Sequence, residues 1–158
     1  MKLTSYSNFA LRSLQLAAIR HPGLTRVEEV ARAHGLSHAH ITKIVHELGK
    51  AGFVETVRGR NGGFRLARPA DQISVGDIIR WTEGPVELVE CFNPSTNTCP
   101  LIGVCHLSAK LREATNAFLA VLDGVTIADI AHNKSVLLGR FETAMAEPSA
   151  DPHLSAAV

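Results

Sequence analysis

Val57-Arg58-Gly59-Arg60-Asn61-Gly62-Gly63-Phe64-Arg65-Leu66 sets this chain apart from an ordinary helical domain. Before it, Phe53-Val54-Glu55-Thr56-Val57-Arg58 alternates apolar and polar residues, as a half-buried strand does, and Phe64-Arg65-Leu66-Ala67-Arg68 repeats the alternation after it. Between them Asn61-Gly62 is a hairpin signal, because both residue types tolerate positive φ. The spacing predicts a two-stranded ribbon carrying Arg58, Arg60, Arg65 and Arg68. A glycine-rich phosphate loop is the competing reading of Gly59 to Gly63. It lacks the Lys-Ser/Thr of a P-loop and the GxGxxG spacing.

Upstream of the ribbon the apolar period changes from two to 3.6. Ala10, Leu11, Leu14, Ala17 and Ala18 fall on one face of a helix over residues 5–20, which Pro22-Gly23 ends. Thr25, with Glu28 three residues on, reads as the capping box of a second helix with Val27, Val30 and Ala31 inward. Gly35 closes it, and Ser37 is the expected N-cap of a third. In that third helix Ile41, Ile44, Val45 and Leu48 repeat at i, i+3, i+4, i+7. His38, Thr42, Lys43, His46 and Lys50 are left outside, with His40 near the first turn, and Gly52 ends the helix. Two helices around a short glycine-containing turn, then a basic hairpin, spell a winged helix-turn-helix. The expected DNA contacts are Ser37, His38, His40, Thr42 and Lys43 on the reading helix, with Arg58, Arg60 and Asn61 in the wing. His34, His38, His40 and His46 could alternatively ligate a metal, but the cysteine loop described next is the better site.

Charge supports that division. The net charge is +1, yet residues 1–69 carry +7 and residues 70–158 carry −6. A basic front half suits a polyanion. The rear half holds all three cysteines, in Cys91-Phe-Asn-Pro-Ser-Thr-Asn-Thr-Cys99-Pro-Leu-Ile-Gly-Val-Cys105, a segment too rich in turn formers for a continuous helix or strand. An odd cysteine count argues against a purely intramolecular disulfide framework. Three thiolates with one vacancy suit an iron–sulfur cluster or an open zinc site, and three ordinary thiols remain the alternative. Before this loop, Ser74 and Asp77 cap a short helix with Val75, Ile78 and Ile79 inward, and Trp81 reads as a core or shielding residue. After it, Leu107, Leu111, Ala114, Phe118, Val121 and Val125 alternate four and three apart, the seam of a dimerisation helix. Thr126 and Asp129 cap a last short helix near Ile130. The stretch from Glu147 onward reads as a disordered tail.

The start Leu3-Thr4-Ser5, the wing from Val57 to Leu66 and the cysteine triplet together resemble a bacterial family of winged-helix regulators. It includes the iron–sulfur-cluster regulator IscR, the nitric-oxide-sensing repressor NsrR and the rhizobial iron regulator RirA. The resemblance runs from Met1 to about Leu138. It implies a homodimer on palindromic double-stranded operator DNA, with an iron–sulfur cluster on Cys91, Cys99 and Cys105, 4Fe–4S ahead of 2Fe–2S. It also leaves the fourth ligand open. Asn8 stands where the nitric-oxide sensor has an aspartate, and Ser108 where the IscR branch has a histidine. His106 and Asn8 are therefore candidates beside an exchangeable fourth position.

The expectation is a mainly α protein with a small β-hairpin wing and a long dimerisation helix. Its expected divisions are 1–69 for DNA binding, 70–90 as connection, 91–105 as cysteine loop, 106–145 for dimerisation and 146–158 as tail. No apolar run reaches membrane-spanning length and no signal peptide is evident, so the expected setting is the cytoplasm, with no membrane partner. No catalytic spacing is present, so an enzyme is not expected. A cluster-free or zinc- or thiol-sensing regulator is the alternative, with an iron–sulfur carrier behind it.

Overall fold

The computed structural model describes residues 2–146, so the predicted disordered tail lies outside the described residues. Helix α1 (Ser5–Arg20) is the axis of the fold. Thr4 caps it, its hydroxyl accepting the Ser7 N–H at 3.2 Å. Its burial is wider than the single face read from sequence: Ser7, Ser13 and Leu16 are buried along with Ala10, Leu14, Ala17 and Ala18, while Leu11 is only half-buried. The small residues let α1 be approached from several sides, by α3, α4 and α6 as well as the wing.

Helix α2 spans Val27–His34 and α3 spans Ser37-capped His38–Lys50, joined at Gly35 in the left-handed region (φ 62°). Ile41, Ile44, Val45 and Leu48 are buried as the period requires. The start of α2 departs from expectation. Its N-cap is Arg26, whose N–H donates to the Glu29 carboxylate at 2.8 Å. Thr25 is instead a strand residue, pairing both ways with Phe64 (N–H to O, 2.9 and 2.8 Å). The Thr25 carbonyl accepts from Phe64 rather than from the helix, and it is the Arg26 carbonyl that accepts the first intrahelical bonds, from Glu29 and Val30.

Strands β1 (Val54–Val57) and β2 (Gly63–Leu66) form the antiparallel hairpin, with Val57 opposite Gly63. The loop is therefore five residues, 58–62, and not a tight Asn-Gly turn. Gly59 takes the positive φ (113°) and Asn61 does not. At Gly63 a Cβ would lie 2.5 Å from the Thr25 carbonyl oxygen, so the Thr25 pairing itself demands glycine. β1 is buried only at Val54; Val57 falls on the opposite face, with Glu55 and Arg65, and is exposed, whereas Phe64 on the Val54 face is fully buried.

Helix α4 (Val75–Glu83) starts at Ser74, whose hydroxyl accepts the Asp77 N–H. The cysteine segment follows as turns with one short 3-10 turn at Glu90–Phe92. Helix α5 (His106–Asp123) packs on α4, and Asp123 pairs with both terminal nitrogens of Arg80. Thr126 and Asp129 form the reciprocal capping box of α6 (Ile127–Ile130). This is the short helix expected near Ile130; helix α7 (Lys134–Ala146), which follows it, was not expected, and it returns to α1 and α2. One apolar core runs from Ala10 to Phe141, so both halves of the chain build it. No helix among the described residues is long and apolar enough to cross a membrane.

Candidate nucleic-acid interface and cysteine loop

The turn after Gly35 and the Ser37 cap aim the first turn of α3 away from the core. His38, His40, Thr42, Lys43 and His46 are all exposed. The Ser37 hydroxyl accepts the His40 N–H at 3.2 Å. Thr42 lies 3.3 Å from the His38 ring nitrogen and donates to the His38 carbonyl at 2.8 Å, which holds both side chains on one ridge. The His40 ring meets Phe9 of α1 edge-on at 5.5 Å.

The wing closes against this ridge. A cleft of about 390 Å³ is lined by His38, Thr42 and His46 from α3, by Gly59 and Arg60 from the wing, and by Arg26. Arg58, Arg60 and Asn61 are exposed at the wing tip. The four hairpin arginines are not equivalent, contrary to the simple ribbon reading. Arg65 is held by Glu55 across the strands at 3.0 and 3.1 Å, and Arg68 stacks on Phe53 at 5.5 Å. Arg26 and His46 join the cleft although sequence reasoning did not name them as contacts. Arg26 gave no signal, since it was placed inside a helix start; His46 was legible as one turn beyond Thr42.

His34 belongs elsewhere. It is half-buried, meets Phe141 edge-on at 5.4 Å and lies 3.3 Å from Arg12. Burial, then the Arg12 charge, pushes its pKa down to about 4. A ring this dry and this neutral is a packing group.

The three cysteines are free and half-buried. Cys105 is the N-cap of α5. The Ser108 N–H donates to the Cys105 sulfur at 3.5 Å, and Cys91 donates to the Ser108 hydroxyl at 3.4 Å. Ser108 thus links two of the three thiols. Cys99 sits on its own turn, its N–H donating to the Asn97 side chain at 3.1 Å. Among the described residues no three His, Cys, Asp or Glu side chains converge to hold a metal ion. The donor chemistry, three reduced sulfurs on one short loop, suits a soft metal centre, while the geometry leaves them apart. His106 is exposed on the first turn of α5 and Asn8 is exposed on α1. Trp81 packs between Tyr6 (5.8 Å) and Phe53 (5.4 Å), a core role.

A reading helix flanked by a basic wing defines a winged helix-turn-helix DNA-binding protein. Residues 3–133 match the family model described as Rrf2, iron-dependent transcriptional regulator, and the chain belongs to that family. It is 46% identical over 138 residues to the HTH-type transcriptional regulator NsrR of Geobacillus kaustophilus, covering 87% of this chain and 94% of that one. It is 44% identical over 153 residues to protein aau3 of Rhizobium meliloti, covering 95% and 99%. Among solved structures it resembles CymR, the global cysteine regulator of B. subtilis (31% identity, TM-score 0.64, 84% and 97% covered). It also resembles IscR of T. potens (26% identity, TM-score 0.65, 94% of each covered). The chain is a DNA-binding transcriptional regulator.

Proposed function

We propose that this regulator is a cytoplasmic homodimeric repressor whose operator binding is gated by an iron–sulfur cluster on Cys91, Cys99 and Cys105. The observation that carries the DNA half is the cleft shared by α3 and the wing, which presents imidazoles, a hydroxyl and arginine on one surface. Residues 1–69 would serve DNA binding, 70–90 connection, 91–105 cluster binding and 106–145 dimerisation. Within the first, Ser37, His38, His40, Thr42, Lys43, Arg58, Arg60 and Asn61 would meet the duplex. For the gate, support comes from three reduced thiols placed between α4 and α5, and from the iron dependence in the family's description. When bound, such a cluster supplies iron that reacts with nitric oxide or oxygen and is sensitive to iron supply. The residues on either side do the rest: Gly84 leads into the loop from α4, and Cys105 caps the helix proposed to join two protomers. A change in the direction of α5 would mis-space two reading helices relative to one turn of DNA.

A second reading has its own observation. The cysteines do not converge, and Cys91 and Cys105 are each tied to Ser108, which suits a regulator whose thiols respond directly to redox change. An iron–sulfur carrier has no use for a reading helix and wing. Protein purified without oxygen separates the two regulators. A brown protein with iron and sulfide, binding operator differently from its Cys99→Ala variant, supports the cluster. A colourless protein, or equal operator affinity in the two forms, overturns it.

A further inference from the structure

The last turn of α4 grips the first turn of α1 with three successive residues. Glu83 accepts the Thr4 N–H at 2.8 Å, the Thr4 hydroxyl at 3.0 Å and the Ser7 hydroxyl in a short contact. The Ser7 hydroxyl also lies 2.7 Å from that of Thr82. Trp81 wedges its ring against Tyr6 on α1 and against Phe53, the residue that leads into the wing. Ser7 is fully buried, so its own bonds form away from water, while the two from Thr4 lie at the surface. Burial alone would raise the Glu83 pKa, but the bonds from Ser7 and Thr4 outweigh it and hold the carboxylate below its usual range.

The position of this grip matters more than its strength. The next residue, Gly84 (φ 67°), opens the segment that carries the cysteines. One turn along α1 from the gripped residues, Phe9 sets its ring edge against His40 on the reading helix. The α4 end therefore touches both DNA-facing elements: α3 through Thr4, Ser7 and Phe9, and the wing through Trp81 and Phe53. A displacement at the start of the cysteine segment has a continuous packed route to each.

We propose that Glu83 and Phe9 are positioning residues for operator binding, the Glu83 clamp joining the cysteine loop to α1 and Phe9 passing that pose to His40. Its regulatory part rests on the gating reading above. Neither residue touches DNA in this scheme; Phe9 fixes His40, which does, and Glu83 fixes the helix that carries Phe9.

The test compares Glu83→Ala, Glu83→Gln and Phe9→Leu with the natural chain. Operator affinity is measured in the cluster-loaded form and in the Cys99→Ala background, and hydrogen exchange in the latter alone. In the natural chain the two forms are expected to differ by about 5–150-fold. With Glu83→Ala that ratio falls to about 1–3-fold, and Glu83→Gln, which keeps an acceptor oxygen, restores part of it. In the Cys99→Ala background, exchange of amides 5–10 and 38–42 rises together with Glu83→Ala. Phe9→Leu, which keeps the clamp, raises exchange at 38–42 only and weakens operator binding more than binding to random DNA. An unchanged ratio, or faster exchange confined to α1, overturns the clamp. If the natural chain shows no difference between its two forms, the gating reading fails, and the exchange measurements still decide whether Glu83 positions α3. If Glu83→Ala does not fold, Glu83→Gln decides the clamp, a ratio equal to that of the natural chain overturning it, and Phe9→Leu decides the step to α3.

Discussion

Arg58 and Arg65 lie on the same ribbon, and a sequence cannot rank them. The structure does, because Arg65 spends its guanidinium on Glu55 while Arg58 stands exposed at the tip. Arg58→Ala is expected to weaken operator binding by about 1–3 kcal/mol if it reads a base edge, and to lower the salt slope by about one if it meets a phosphate. Arg65→Ala should cost well under that, its exposed pair with Glu55 being worth about 0–1 kcal/mol. Fluorescence anisotropy across a salt series measures both, and equal losses would show the tip to be misassigned. His34 makes a prediction about pH. Its folded pKa of about 4 lies below the ordinary 6.5, so the unfolded chain binds the extra proton between those values. Stability should accordingly fall as pH drops from about 6.5 toward 4, the contribution being fully present above that window. The shift sets an upper limit of about 3 kcal/mol, and because the ring is only half-buried and water screens it, the expected loss is about 1–2 kcal/mol, or about 3–6 °C in Tm. His34→Leu should flatten the fall, and a Tm that declines just as steeply in this variant would remove His34 as its cause.

Helix α5 shows one face to α4 through Thr115, Leu119 and Leu122, and leaves another with no cover in the single chain. Leu107 is 64% exposed and Val121 69%, with Ala114 exposed between them, while Leu111, Phe118 and Val125 of the same four-and-three seam are half-buried. Val121→Glu should turn a dimer into a monomer in light scattering while leaving helical circular dichroism intact, and a dimer that persists would move the interface elsewhere. The elements legible in the sequence were those whose signals are local. The 3.6 period of α3, the Ser37 and Ser74 caps and the Thr126/Asp129 box appear as read, and α1 forms over the residues read but buries more than one face. What could not be read depends on partners far along the chain. Thr25 looked like a cap because its pairing with Phe64 is 39 residues distant. Alternation alone does not say which face is covered, and it is the face of Val54 and Phe64 that packs, leaving Val57 outside. α7 showed no face, its apolar residues being spread around it. Of the site, the reading helix and wing tip were visible as motifs. The split among the arginines, the arrival of Arg26 and the bonds of Ser108 to two cysteines were not, since each is set by side-chain geometry.

The core of the whole molecule is a single body. Ile127 is fully buried and Phe141 nearly so, packed among residues of α1 and α2, while α5 leaves that body through α4 and comes back through α6. Phe141→Ala should cost about 3–5 kcal/mol, read as a lower urea midpoint with an unchanged slope. It should weaken DNA binding only in proportion to the unfolded fraction, and an affinity loss in the fully folded protein would give Phe141 a more direct part. The return of α7 also fixes an order of events during synthesis. Many domains can fold from the amino end while the ribosome is still adding residues. Here α1 and α2 lean on Phe141, which is made after every residue of the DNA-facing half, so a product terminated before α7 carries the reading helix without that packing. Until α7 is made, α1 and α2 lack the packing that α7 gives them.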